Sequence, residues 1–222
     1  MPEQSNTGPL GTETNRPSLD AEVLARTQFQ PPGPLGLRTG EGFLRTSLPV
    51  VRSLVLKEPR EFKQGALTCW AAAIASWLLV KGIVKEGFSD DFLIKYYKGT
   101  ACVDSDGALV GKDTIEDVFA EWRLDIDMEE EIAQDGLDAA MVEKLLREHG
   151  HFILGTGSGT LHAIVVYGIE VHEADNPLAY SLLVMDPIRG VNERKHHMFI
   201  TYPVRVAVGL PKSGGPAPCR RA

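Results

Sequence analysis

The chain has 222 residues, 43% of them hydrophobic and 24% charged, with 23 Lys and Arg against 30 Asp and Glu for a formal net charge of -7. That length builds one domain with a substantial core and is too short for two comfortable ones, and the composition is that of an ordinary soluble protein. The acidic balance, with no basic stripe, argues against non-specific nucleic-acid binding, and the longest apolar stretch, between Lys63 and Lys81, falls short of the roughly 18 residues a membrane span needs.

Residues 1–42 read as a disordered leader. MPEQSNTGPLGTETNRPSLD and QFQPPGPLGLRTGEG are rich in Pro, Gly and polar residues, and AEVLARTQF between them offers at most a couple of helical turns, too few to persist alone. The first thirty residues lack the apolar segment of a Sec signal peptide. A folded domain is expected over residues 43–210, opening with LPVVRSLVL, Leu48 to Leu56, as an edge strand. A helix capped by Thr68 then begins at Cys69 and runs through AAAIASWLLV, apolar almost all round apart from Ser76, as a helix buried inside a domain should be. Ser89-Asp90-Asp91 ahead of FLIKYYK signals a second helix, Asp113 through IEDVFAEW a third, and LDAAMVEKLLREHG a fourth that ends at Gly150. HFILGT, LHAIVVYGIE, YSLLVMD, HMFITY and VRVAVGL follow as strands, and residues 211–222, PKSGGPAPCRRA, form a flexible tail. Helices first and an antiparallel sheet second is the order of an α+β protein.

Within this frame QGALTCWAAA, Gln64 to Ala73, places a cysteine where a thiol becomes a nucleophile. The unpaired amides and the dipole at a helix N-terminus favour negative charge, and the thiolate is the reactive form of cysteine. Gln64, five positions before Cys69, supplies a side-chain amide donor that with the Cys69 N–H would make an oxyanion hole. This segment alone leaves open the alternative of a small buried cysteine at the start of a core helix. A base is available further on. LHAIVVYGI begins a central strand with His162, YSLLVMDP ends the next strand at Asp186, and HEADNP between them supplies turn residues. Folded about Ala174 or Asp175, this hairpin makes His162 and Asp186 cross-strand neighbours, with Cβ atoms roughly 4.5–5.5 Å apart, and the carboxylate would fix the tautomer of the imidazole. A bulge would break that register. Nucleophile, base and orienter then stand in three matching structural contexts.

Other motifs carry less. GTGSG, Gly155 to Gly159, opens a strand and lacks the amide array of a phosphate loop, so it reads as a mobile loop beside His162. DSDG, Asp104 to Gly107, has its glycine too early for a calcium loop and reads as a turn. His149, His151, His172, His196 and His197 have no recognised ligand spacing and read as exposed residues at strand ends, while MEEEIAQD reads as a solvated acidic face. No pattern requires a metal or a cofactor. Of the three cysteines, Cys69, Cys102 and Cys219, a free Cys69 leaves at most one disulfide, which favours a reducing compartment or folding before export.

Together Q-G-A-L-T-C-W-A-A-A, L-H-A-I-V-V-Y-G-I and V-M-D-P-I-R-G resemble the papain-like cysteine peptidases, especially the bacterial branch that contains bacteriocin-leader peptidases and secreted effector proteases. The resemblance spans about residues 45 to 205, with sharp motifs at those three places and none between Lys81 and Asp138. It implies Cys69 as nucleophile, His162 as base, Asp186 as orienter and Gln64 as oxyanion donor, in the cleft between a helical part and a sheet. It implies a thiol hydrolase acting on a protein or peptide substrate, with an inhibitor or immunity protein as a further partner the reading admits. Amidase, deamidase or acyltransferase chemistry uses the same steps, and a noncatalytic peptide-binding domain of this fold is the alternative of another class. The expected location is cytoplasmic, or a target cell reached by export without a Sec signal peptide.

The leader reading is open to direct test. Ordering costs about 1–2 kcal/mol of backbone entropy per residue, and residues 1 to about 40 offer no apolar face to offset it, so limited proteolysis should leave a resistant core that begins between about Arg38 and Arg52. A protected N-terminus, or a truncated protein that fails to fold, would show instead that the leader packs on the domain.

Overall fold

The computed structural model describes residues 48–65, 67–157 and 161–210; the leader and residues 43–47, residue 66, residues 158–160, which include the end of the GTGSG motif, and the tail lie outside these. Helix α1, Cys69–Val80, forms where the sequence is rich in alanine and bounded by Thr68 and Lys81, and ten of its residues, Cys69 to Leu78, are buried. A helix apolar on every side must be covered on every side. On one flank lie α2, Asp90–Tyr97, and α3, Lys112–Glu121, which contribute Leu93, Tyr97, Val118 and Phe119 to the same core. The other flank packs on a sheet, against Ile153, Ala163, Val165, Met185 and Ala207.

That sheet has seven strands, all pairings antiparallel: β1 Arg52–Val55, β2 Leu124–Ile126, β3 Phe152–Thr156, β4 His162–Val171, β5 Tyr180–Asp186, β6 Val191–His196 and β7 Val204–Gly209, in the order β2-β7-β3-β4-β5-β6 with β1 also on β4. Its far face is covered by α4, Ala139–His149, whose Val142 and Leu146 join Phe152, Leu154, Ile164, Val166 and Val184 in a second core. Both faces are therefore buried, and for this reason β3, β4 and β5 read as nearly continuous apolar runs. The α+β expectation holds, with each of the four expected helices present.

Three differences from the sequence reading have physical causes. HMFITY is no strand: His197–Phe199 is a single 3-10 turn in which the His196 side chain accepts from the Met198 N–H, and the strand beside β5 is the preceding VNERKH. An edge strand needs no apolar side chains, so charge disguised it. The histidines are mostly not exposed: His151, His172 and His197 are buried, with His151 Nε2 2.7 Å from the Lys57 carbonyl and His172 Nε2 2.8 Å from Ser181 Oγ. Finally, the β4–β5 register shifts between Val166 and Gly168, leaving Tyr167 as a bulge. There β4 exchanges one neighbour for another, pairing with β3 up to Val166 and with β1 from Gly168. Gly168 suits that crossing, because a Cβ there would stand 3.0 Å from the Leu54 carbonyl and from Leu183 Cδ1.

Trp77 fastens α1 to the rest of the domain. It is 1% exposed, its indole N–H donates to the His151 carbonyl at 2.9 Å, and β7 approaches its ring so closely that a Cβ on Gly209 would lie 2.8 Å from it. Trp77→Phe removes the donor and leaves a void, so it should lower unfolding free energy by about 1–3 kcal/mol, read as a fall in urea midpoint at unchanged slope. An unchanged midpoint would show that the indole bond contributes nothing.

Candidate active site

Cys69 is the first residue of α1, as the sequence implied, but Thr68 does not cap the helix as expected. Its Oγ1 accepts instead from the Gly65 N–H at 3.0 Å, closing the loop that brings Gln64 towards the helix. The consequence is chemical: the first amides of a helix have no partner within it, and here the neighbouring hydroxyl does not consume them. Leu67 enters this turn with φ of 53°, a left-handed conformation that a side chain other than glycine adopts at some cost. Trp70 locks the next position, its indole donating to the Gly107 carbonyl at 2.9 Å and its ring meeting Tyr97 edge-on. Tyr97 in turn donates to Glu121 and accepts from Trp122, so the start of α1 is braced by both α2 and α3.

The Cys69 thiol is 8% exposed and donates to the carbonyl of Leu161 at 3.5 Å, which sets it beside the first residue of β4. That residue is His162. Its Nε2 lies 2.8 Å from Asp186 Oδ1, leaving Nδ1 as the ring nitrogen available to the sulfur. The expected pairing of His162 with Asp186 is thus present, although not as direct cross-strand neighbours. Val165 opposes Met185 and Val166 opposes Val184, so one further step places Ile164 across from Asp186 and His162 on the diagonal. Side chains of this length reach a diagonal neighbour on the same face. Strict alternation would aim both at the α4 core with Ile164 and Val184; as the terminal residues of their strands they stand at the end of the sheet, where the first turn of α1 meets them.

Electrostatics follow from these contacts. Burial disfavours a charged His162, yet hydrogen bonds and charge from Asp186 and Cys69 outweigh it and push the ring from 6.5 up to about 9. Burial likewise works against ionised Asp186, and the His162 and Lys195 hydrogen bonds with their charges hold its carboxyl well below the usual range. Oδ1 also accepts from the Ile188 N–H at 3.0 Å, and Oδ2 from Lys195 Nζ at 2.5 Å.

Gln64 is joined to the same junction through its backbone. Its N–H donates to the carbonyl of Pro187, the residue after Asp186, at 2.9 Å, and Gly190 packs so tightly on Lys63 that a Cβ would fall 2.6 Å from the Lys63 Cβ. The Gln64 side-chain Oε1 is buried with no hydrogen-bond partner. Asn192, a conceivable substitute for the third position, faces elsewhere: its Nδ2 donates to the Pro59 carbonyl. At the start of α1 a cavity of about 500 Å³ is lined by Thr68, Trp70, Ile94, Lys98, Gly99, Val103 and the Asp104–Gly107 turn; Cys69 itself is not in its lining. In that turn Asp104 Oδ1 accepts from the Asp106 and Ala108 amides, as a DSDG turn should, but its place against Trp70 at the start of α1 was not foreseen. Nor was Lys195, whose partner is visible only once β6 is paired. Among the described residues no group of three or more His, Cys, Asp or Glu could hold a metal ion, and no helix is long and apolar enough to cross a membrane.

Helices carrying a cysteine on one side and an antiparallel sheet carrying histidine and aspartate on the other define a papain-like cysteine protease. The family model described as papain-like cysteine protease AvrRpt2 matches residues 53–202, and the chain belongs to that family. No curated protein matches it.

The charges also make stability depend on pH in a definite sense. His162 binds its proton more tightly folded than unfolded, so its contribution is complete below about pH 6.5 and is lost as pH rises towards 9; that of Asp186 is present above about 3.8 and lost on acidification. Urea unfolding should therefore show stability falling between pH 6.5 and 9, with a shallower fall in Asp186→Asn, which takes away part of what raises the ring. Equal slopes in the two proteins would refute the pairing.

Proposed function

We propose that this papain-like cysteine protease cleaves peptide bonds in a protein of a target cell, as an exported effector or toxin, with Cys69 as nucleophile, His162 as acid and base, Asp186 as orienter and Gln64 as oxyanion donor. The observation that carries the reading is the junction of Cys69, His162 and Asp186, with the ring bonded through Nε2 to the carboxylate and charged up to about pH 9. Membership of a family of bacterial effector proteases supports the biological role.

In this mechanism the Cys69 sulfur, anionic beside the imidazolium, attacks the carbonyl carbon of the scissile amide. The oxyanion is received by the Cys69 N–H at the helix start and the Gln64 side-chain amide. His162 passes its proton to the leaving amine as the C–N bond breaks, which leaves a thioester on Cys69. Neutral His162 then takes a proton from water, the hydroxide adds to the thioester, and the acid departs with the sulfur returned to its ion pair. Asp186 keeps the ring in one tautomer and one orientation throughout. The cavity at the start of α1 is lined by apolar Trp70, Ile94 and Val103 together with Lys98, Asp104 and Asp106, a suitable seat for a substrate side chain.

The test is a proteome-derived peptide library digested with wild type and with Cys69→Ala. New N-termini should appear with wild type alone, while the variant melts within about a degree of it, because one sulfur at a helix start leaves little cavity. Cleavage by Cys69→Ala would remove the nucleophile from the assignment. Deamidated or acyl-transferred peptides without new N-termini would retain the thiol chemistry and overturn peptide-bond cleavage.

A further inference from the structure

We propose that Lys195 is a positioning residue of this site: its ammonium pins the second carboxylate oxygen of Asp186 and so fixes both the aim of the His162 ring and the net charge that ring faces. The inference rests on the reading of Cys69, His162 and Asp186 given above. Lys195 lies on β6 opposite Leu182, four residues before Asp186 on β5, so its side chain must run along the sheet to reach the carboxylate. It does so with only 23% of the side chain exposed and Nζ 2.5 Å from Oδ2. Holding a long flexible side chain in one such course costs rotamer freedom, which the contact has to outweigh.

Two consequences follow. Oδ1 already accepts from His162 and the Ile188 N–H, so Lys195 completes the set and leaves neither oxygen free to rotate away from the ring. Its positive charge also offsets that of Asp186, limiting how strongly the carboxylate holds a proton on His162. The titratable and charged groups facing this cluster are Cys69 from α1, Asp186 from β5, and Lys195 with Glu193 from β6, where Glu193 Oε1 is 3.5 Å from Lys195 Nζ. Arg189 in the turn occupies the other oxygen of Glu193 at 2.7 Å, and Glu61 and Lys63 border the turn from the segment before α1.

The experiment uses the full chain and iodoacetate, with carboxymethylation of Cys69 followed by peptide mass mapping from pH 5 to 11. An anionic reagent reacts fastest while the imidazolium is present, so the rate falls as the ring loses its proton, and NMR titration of His162 gives the same midpoint directly. Lys195→Met should move the midpoint upward by about 0.5–1 unit and reduce the maximal rate several-fold, while Lys195→Arg restores both. A wild-type midpoint and rate in Lys195→Met overturns the proposal; if that variant does not fold, Lys195→Gln makes the same charge change and carries the same expectation. Asp186→Asn separates the two levels of argument. If it lowers the midpoint and Lys195→Met leaves it in place, the Lys195 assignment alone fails; if Asp186→Asn leaves it in place, the reading of the three residues fails with it.

Discussion

A carboxylate kept ionised where water scarcely reaches is the constraint on which the rest of this structure depends. Asp186 is 3% exposed, and a lone buried charge would cost several kcal/mol or else take up a proton. It does neither because donors from three directions converge on it: the His162 ring from β4, the Ile188 amide from its own turn and Lys195 from β6. Satisfying this charge therefore fixes the relative placement of three strands at one end of the sheet. The turn that follows extends the order further, since the Pro187 carbonyl holds the Gln64 amide and Gly190 admits Lys63 into contact. The loop leading to the nucleophile is in this way anchored by the same few atoms that orient the base.

Cys69 is placed by a separate device. Buried on all sides, α1 gains little from intrinsic amphipathicity and much from coverage, with Trp77 bonded to the His151 carbonyl at one end and Trp70 to the Gly107 carbonyl at the other. Two indole donors on one helix restrain both translation along its axis and rotation about it. The thiol consequently meets the Leu161 carbonyl without any covalent link between helix and sheet. Preorganisation of this kind matters for a nucleophile, because a misplacement of about 1 Å is costly in rate.

How much of this the sequence discloses depends on whether a feature is local. Apolar continuity marked α1, β3, β4 and β5, and Gly150 marked the end of α4; the Asp138 side chain, which caps that helix by accepting from the Met141 N–H, was not singled out. Residue types in those contexts were enough to nominate Cys69, His162 and Asp186. What stayed hidden required partners. VNERKH carries no apolar stripe and becomes a strand only because β5 presents an open edge, and Leu124–Ile126 is too short to show a period. The Tyr167 bulge arises where β3 gives way to β1 along one edge of β4, a three-strand event that no hairpin rule contains. The Asp104–Gly107 turn was recognisable as a turn; only the fold of α1 onto it, through Trp70, makes it the wall of a cavity.

The same division explains where strain and order are distributed. Some departures from local rules lie in the segment that leads into α1: a left-handed Leu67, a threonine that declines to cap, a buried Gln64 oxygen without a partner. By turning to Gly65, the Thr68 hydroxyl withholds itself from the helix amides that it would have stabilised in the free protein. The first amides of α1, which Thr68 leaves uncapped, are the groups able to respond when charge appears on a bound carbonyl, so a modest loss of folding stability becomes stabilisation at the step where the oxyanion forms. The two-sided core behind β4 and β5 makes that loss tolerable, because it holds the sheet's end in place without help from the residues that face the thiol.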